Sequence, residues 1–350
     1  MYTIDMPLSK HYQIIIKDNL LYDIGSEIKK VYNNKNVYVI TDKRVGHFYL
    51  DVVCDALREY NVKSIIIDGY EKSKSLNVYA EVCEKLINMG AARGELLIAL
   101  GGGVIGDLVG FIASTLYRGM PFIQIPTSLL AQVDSSIGGK TGIDFLGHKN
   151  ILGVINQPEL VLIDPTVLKT LPRRELMNGF GEMIKHAMIS SVELFNLIKN
   201  SNLNVTEEII YHNLMIKRSH VLNDEFDKGE RMKLNFGHTF GHIIELEENL
   251  LHGEAVIDGM LCALNYAIDL GLAEASTREA LLDLYRTLDL KYIERDYKSY
   301  LPKVKFDKKN IAQVINFILI DKIGHAIIHP VGEEKLVWKY WLDQRNLVVK

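Results

Sequence analysis

A chain of 350 residues with 48% hydrophobic side chains is long enough for two packed domains, each with its own core. Its 40 basic and 44 acidic residues leave a net charge of -4, which gives no electrostatic reason to expect nucleic acid or an anionic membrane as partner; any anion site has to be local. The opening MYTIDMPLSKHYQ lacks a charged-then-apolar signal pattern, and the most apolar stretch, ELLIALGGGVIGDLVGFIA, is broken by Asp107 and several glycines, so a cytoplasmic protein is expected.

In chain order, short β-branched runs alternate with helical patterns: NVYVITD, VKSIIIDG, ELLIALGGG, PFIQIPT and ELVLID, with helix-like segments such as LNVYAEVCEKLINMG between several of them. This alternation predicts an α/β domain with a mostly parallel sheet covered by helices. From LPRRELMNGFGEMIKHAM onward nearly every periodic stretch is helical, including VIDGMLCALNYAIDLGLA and REALLDLYRTLDL, with a late strand-like pair around ILIDKIGHAIIHP. The expected organisation is therefore a nucleotide-binding α/β domain over 1–170 and a mainly α-helical domain over 171–350. Cys54, Cys83 and Cys262 form an odd set without metal or redox spacing, which predicts free, mostly buried thiols.

Gly101, Gly103 and Gly106 satisfy G-x-G-x-x-G between the apolar run ELLIAL and the helical VIGDLVGFIASTLYR. In that context backbone N–H groups and a helix N-terminus can approach a pyrophosphate, because no side chain stands in the way. The same glycines would also serve close packing of a helix on a strand. About twenty residues after Gly106 the chain reads IQIPTSL, with no acid to hold a ribose, and Asp42 at the end of NVYVITD is the better candidate. That placement points away from a standard Rossmann dehydrogenase. Downstream, DSSIGGKTGIDFLGHKN carries Asp134, Lys140, Lys149 and Asn150 among four glycines. These glycines would keep the segment open to a ligand, while the lysines offer point charges to phosphate or carboxylate; a solvated surface loop is the alternative. Arg118, Lys217 and Arg231 add cations near the motif segments, a pattern suited to a small, multiply anionic substrate.

Glu182 in GFGEMIK, His238 in NFGHTFGH and His252 in LLHGEAV are metal-ligand side chains separated by more than fifty residues and then by fourteen. One carboxylate and two imidazoles leave a position open on a zinc-like ion, the pattern of a catalytic site. His238 and His242 are four apart and share a helix face, so both could serve one ion, but no Glu follows His238 and the logic of a zinc protease is absent. Glu182 and Lys185, three apart, could form a plain helix-surface ion pair, or Lys185 could touch the substrate while Glu182 serves the ion.

Taken together, GGGVIGDLVGF, RGMPFIQIPTSLLAQVDSSIGGKTGID, GHKNILG, GEMIKHAMI, LNFGHTFGHIIE and HGEAV resemble the 3-dehydroquinate synthase family over roughly residues 36 to 330. The resemblance implies a carbon–oxygen lyase of the shikimate pathway, in aromatic amino acid and chorismate biosynthesis, using NAD+ and a zinc or cobalt ion. It implies metal ligation by Glu182, His238 and His252. It implies NAD contacts at Asp42, Glu71, Lys74, the glycines Gly101, Gly102 and Gly103, Asp107, Thr127, Ser128, Thr170 and Leu171, with Asp134, Lys140 and Lys149 close to the cofactor. Substrate and catalytic contacts fall on Arg118, Asp134, Lys140, Lys149, Asn150, Lys185, Lys217, Arg231, Asn235, His242 and Lys322, with His242 relaying a hydroxyl proton. The implied substrate, 3-deoxy-D-arabino-heptulosonate 7-phosphate, carries a carboxylate and a phosphate. The implied reaction is transient NAD-dependent oxidation, β-elimination of phosphate, re-reduction, ring opening and intramolecular aldol closure. A homodimer is implied as well.

Three positions depart from the family pattern. Ser128 stands where a second threonine is usual, and Gly181 where alanine is common, a change expected to loosen a helix start. Ile323 follows Lys322 where a second lysine is usual, removing a cation near the phosphate. Competing readings are another sugar-phosphate cyclase, a metal-dependent NAD polyol dehydrogenase, which lacks the lysine-rich cluster and releases NADH, and a catalytically silent nucleotide-binding protein.

Overall fold

The computed structural model describes residues 1–306 and 314–332; the remainder of the expected helical half lies outside the described residues. The chain divides into two compact units, one formed by 1–179 with 205–226, the other by 180–204 with the described residues from 227 onward. The division is thus not a single cut at 170, because one later helix belongs to the first unit.

In the first unit, strands β1 (Tyr2–Pro7), β2 (His11–Ile16), β3 (Asn36–Asp42), β4 (Asn61–Ile67), β5 (Leu96–Gly101), β6 (Phe122–Pro126) and β9 (Leu160–Ile163) build one seven-stranded sheet in the order β1-β2-β9-β6-β5-β3-β4. Only the β1–β2 pair is antiparallel. The inner parallel strands β3, β5, β6 and β9 are buried on both faces, as a sheet covered on both sides requires, whereas the edge strand β4 is largely exposed. Val37 and Val39 of β3, with Leu96, Ile98 and Leu100 of β5, pack toward α1 (Ile24–Val31) and α2 (Lys43–Ala56). Tyr38 and Ile40, with Leu97 and Ala99, pack toward α3 (Leu76–Asn88) and α4 (Gly103–Thr115).

The segment expected to stay open, residues 134–150, is instead ordered. A π-helical turn at Ala131–Ser135 leads into a hairpin of β7 (Lys140–Phe145) and β8 (His148–Ile155). Its two-residue turn places Leu146 and Gly147 at φ 50° and 77°, the left-handed pair that fits the twist of a hairpin. Gly142 opposes Gly153 in this ribbon, and a Cβ on Gly142 would lie 2.8 Å from the carbonyl oxygen of Leu152. The glycines therefore serve strand approach rather than openness.

The division between units falls within α5 (Arg173–Ser190). Beyond it, α6 (Val192–Lys199) belongs to the second unit, α7 (Glu207–Asn223) to the first, and α8 (His238–Glu248), α9 (His252–Asp269), α10 (Ala275–Thr287) and the antiparallel hairpin β10 (Val314–Lys322) with β11 (His325–Gly332) to the second. α9 is buried along most of its length, so it lies at the centre of that unit. Tyr285 of α10 donates to the Ile257 carbonyl at 3.0 Å, and Asp258 accepts from Ile293 N at 2.8 Å and Arg295 Nε at 2.9 Å.

All three cysteines are free. Burial, reinforced by the Asp258 carboxylate, pushes the Cys262 thiol up to about 12, so almost none of it is thiolate at neutral or mildly alkaline pH. Cys262 is expected to stay unmodified by an alkylating reagent in the native protein and to react after denaturation, as read by mass spectrometry.

Candidate active site

The first unit concentrates its polar site residues at the carboxyl ends of the parallel strands. The chain passes from β3 to β4 on one side and returns to β5 on the other, so strand order reverses between β3 and β5, where ligands of such sheets bind. Asp42 ends β3, and Gly101 and Gly102 lead from β5 into α4, whose first amides have no partner within the helix. The close-packing role of the motif is present too: a Cβ on Gly106 would lie 2.7 Å from Gln124 Oε1 and one on Gly103 3.0 Å from Ser135 Oγ. The Asp42 Oδ1 caps α2 by accepting from Arg44 N at 2.8 Å and Val45 N at 2.9 Å.

At the same end, Lys74 Nζ donates to Asp107 Oδ2 at 2.7 Å and to Asn150 Oδ1 at 2.5 Å. Burial works against the Lys74 ammonium, but the charges of Asp107 and Glu71 outweigh it and raise its pKa. Thr127 N bonds the Gly101 carbonyl at 3.0 Å, and Ser128 Oγ would stand 3.3 Å from a Cβ on Gly102. Thr170 Oγ1 lies 2.7 Å from the Tyr49 hydroxyl, beside Leu171 at the end of the Pro165–Thr170 turn. Lys217 of α7 donates to the Asp134 carbonyl and, at 2.8 Å, to Asp134 Oδ1, while Asn213 Nδ2 donates to the Val133 carbonyl at 2.8 Å. That anchoring, with Tyr211 stacked on Tyr2 of β1 and Arg218 Nε donating to the Asp5 carbonyl at 2.7 Å, ties α7 to the first unit.

Lys140 and Lys149 are exposed on the β7–β8 ribbon. Arg118 is exposed in a left-handed turn, φ 62°, just past the far end of α4 from the glycine loop. A helix of that length separates them by roughly 20 Å, so Arg118 does not join the Lys74–Asp107–Asn150 group.

In the second unit, Glu182 Oε1 faces His238 Nε2 at 3.6 Å and His252 Nε2 at 3.3 Å, and the donor atoms of the three residues lie within 4.8 Å of one another. A tetrahedral ion with bonds of about 2.0–2.1 Å holds its ligands roughly 3.3 Å apart, so the donor set and its spacing suit zinc. The second oxygen of Glu182 accepts from Lys185. Lys185 is 2% exposed and Glu182 0%, so the pair is buried and not a helix-surface ion pair. His238 Nδ1 lies 3.1 Å from the Phe236 carbonyl and His252 Nδ1 3.2 Å from Glu245 Oε2. These contacts place the proton on Nδ1 of each ring and turn Nε2 toward Glu182. His242 lies on the same face of α8, its ring 5.3 Å from that of His238, but it is not one of the converging donors.

Burial and neighbouring charge push the two imidazoles in opposite directions. Burial drives His238 well below the ordinary histidine value, against the pull of Glu182 and with the push of Lys185. Burial acts on His252 in the same sense, but Glu182 and Glu245 outweigh it and raise its pKa to about 10.

Close helix approach sets these distances. A Cβ on Gly181 would lie 2.5 Å from the Gly253 carbonyl oxygen, and one on Gly259 2.1 Å from that of Gly237. Gly181 sits eight residues inside α5 and not at its start, so its effect is to admit α9 rather than to loosen a helix end. Arg231 is buried in the turn that precedes Gly237, whose φ of 80° opens α8, and Asn235 lies in the same turn. Lys322 is exposed next to the β10–β11 turn, where Gly324 N bonds the Met188 carbonyl of α5 at 2.8 Å. Glu245 was missed from sequence, although its place three residues after His242 and seven after His238 puts it on the same helix face.

The fold is that of the sugar-phosphate cyclases. It is similar to 2-epi-5-epi-valiolone synthase from Streptomyces hygroscopicus subsp. jinggangensis, solved with NAD+ and Zn2+ bound, with a TM-score of 0.83 and 26% identity over 96% of this chain and 97% of that one. It is also similar, in fold alone, to 2-deoxy-scyllo-inosose synthase complexed with carbaglucose-6-phosphate, NAD+ and Co2+, with a TM-score of 0.85 and 24% identity over 97% and 99% of the two chains. A curated 3-dehydroquinate synthase from Clostridium botulinum is 42% identical over 337 residues, 93% of this chain and 96% of that protein. Residues 64–178 match the family model for the 3-dehydroquinate synthase N-terminal region and residues 179–310 that for its C-terminal region. The chain belongs to the 3-dehydroquinate synthase family.

Gly259→Ala tests the close approach of α8 and α9. Steric overlap with the Gly237 carbonyl is expected to cost about 1–3 kcal/mol in denaturant unfolding of the metal-free protein and to weaken zinc binding. Wild-type stability and affinity together would show that the helices need not approach so closely.

Proposed function

We propose that this chain converts 3-deoxy-D-arabino-heptulosonate 7-phosphate to 3-dehydroquinate and phosphate, using NAD+ and a zinc or cobalt ion. The observation that carries the reading is the convergence of Glu182 Oε1, His238 Nε2 and His252 Nε2 in a chain 42% identical to a curated 3-dehydroquinate synthase. When bound, the dinucleotide supplies a reversible two-electron oxidation, and the metal a Lewis acid beside the hydroxyl to be oxidised.

The chain's own residues bind, orient and move protons. His242, beside the ligand pair, accepts the hydroxyl proton. Asp42 meets the ribose through the oxygen that does not cap α2, and the amides of the glycine loop meet the pyrophosphate. Lys74 and Asp107, with Glu71, Thr127, Ser128, Thr170 and Leu171, hold the remaining cofactor contacts. Lys140, Lys149, Asn150, Lys185, Lys217, Arg231, Asn235 and Lys322 hold the substrate's carboxylate and phosphate. Once the hydroxyl is a ketone the neighbouring C–H is acidic, and phosphate leaves by β-elimination with its own oxygens as base. The task of the cations and amides is then to keep one substrate pose through elimination, ring opening and aldol closure. We also infer a cytoplasmic homodimer from the family resemblance; among the described residues no helix is long and apolar enough to cross a membrane.

Incubation with the heptulosonate phosphate, NAD+ and Zn2+ is expected to release inorganic phosphate with no net NADH, and a chelator to abolish that release. Stoichiometric accumulation of NADH would mark a dehydrogenase instead. His252→Ala is expected to lose both zinc and activity. Lys149→Ala should keep its zinc while activity falls about a hundredfold. Equal zinc content in wild type and His252→Ala would overturn the ligand assignment.

A further inference from the structure

On the reading of Glu182, His238 and His252 as metal ligands, we propose that Glu245 is a positioning residue for His252, holding its ring through Nδ1 and placing negative charge behind it.

Three observations carry this. Glu245 Oε2 lies 3.2 Å from His252 Nδ1, while Nε2 of the same ring faces Glu182 Oε1 at 3.3 Å, so the imidazole is held between two carboxylates at its opposite nitrogens. His252 is also the ligand with the weakest support from packing: its side chain is 32% exposed, against 11% for His238 and 0% for Glu182. It opens α9 directly after the link in which Asn249 is left-handed, φ 51°, so no preceding helical turn braces it. Finally, the two histidine ligands are anchored differently. His238 Nδ1 meets a neutral backbone carbonyl, which fixes the ring, whereas His252 Nδ1 meets a carboxylate, which fixes the ring and also makes it a stronger electron donor toward a cation. Glu245 itself is 9% exposed and held in place by α8, the helix that carries His238 and His242.

The test uses the full chain and zinc alone. Zinc dissociation constants are measured by competition with a chromogenic chelator for wild type, Glu245→Gln and Glu245→Ala, alongside melting of the metal-free proteins. Glu245→Ala is expected to weaken zinc about 10–100-fold. Glu245→Gln keeps an acceptor without the charge, so its zinc affinity should fall between those of Ala and wild type. Zinc affinity of Glu245→Ala within twofold of wild type would overturn the inference. So would equal loss in Gln and Ala accompanied by equal destabilisation of the metal-free proteins, since that would mark a packing role. A wild-type chain that binds no zinc overturns the metal-site reading along with it, whereas tight zinc in Glu245→Ala overturns this inference alone.

Discussion

A carboxylate with no solvent exposure is the constraint around which the second unit is arranged. Glu182 is 0% exposed, and an ionised side chain in that position is tolerable only if both oxygens are compensated. The compensation is divided: one oxygen accepts from Lys185 on the same helix, and the other faces Nε2 of the protonated His252 at 3.3 Å. Such a division is possible only because α5, α8 and α9 pack with glycine against backbone, at Gly181 with Gly253 and Gly237 with Gly259. The same geometry makes the two imidazoles unlike. His252, between two carboxylates, holds its proton up to about pH 10 without metal, while His238 is neutral. Ion binding and burial of Glu182 are therefore two solutions to one electrostatic problem.

The first unit answers a different demand. A sheet covered on both faces leaves only the ends of its strands open to chemistry, and the reversal of strand order at β3 and β5 determines which ends are spaced apart. Asp42, the glycine loop and the Lys74–Asp107–Asn150 group all gather at that end. The hydrogen bonds of Asp42 and Lys74 show how tightly the end is organised before any ligand arrives, since Asp42 caps a helix and Lys74 ties a strand-following turn to the β7–β8 ribbon.

Much of this is legible from residues alone, and the exceptions share a cause. Unbroken apolar runs such as LLIAL declare buried parallel strands because both faces must be apolar, and a glycine motif between strand and helix declares a close backbone approach. Residues 134–150 mislead because glycine serves equally for an open loop and for two strands that nearly touch; only the pairing of Gly142 with Gly153 distinguishes them. α7 reads as one more helix of the second half, and its place in the first unit comes from long-range contacts, Tyr211 on Tyr2 of β1 and Lys217 and Asn213 on the carbonyls of Asp134 and Val133. Arg118 reads as one of a group of cations, yet the length of α4 carries it away from the loop that precedes it.

By itself the sequence determined the strands and helices with clear apolar periodicity, the identities of the donors and the family, because periodicity, side-chain chemistry and long ungapped motifs are local properties. Tertiary structure alone decided which oxygen of Glu182 faces which imidazole, that Lys185 is buried with it, and that Glu245 stands behind His252. Those facts depend on how near α8 and α9 approach each other, and that distance is set by backbone contact at glycines far apart in the chain, which no local pattern encodes.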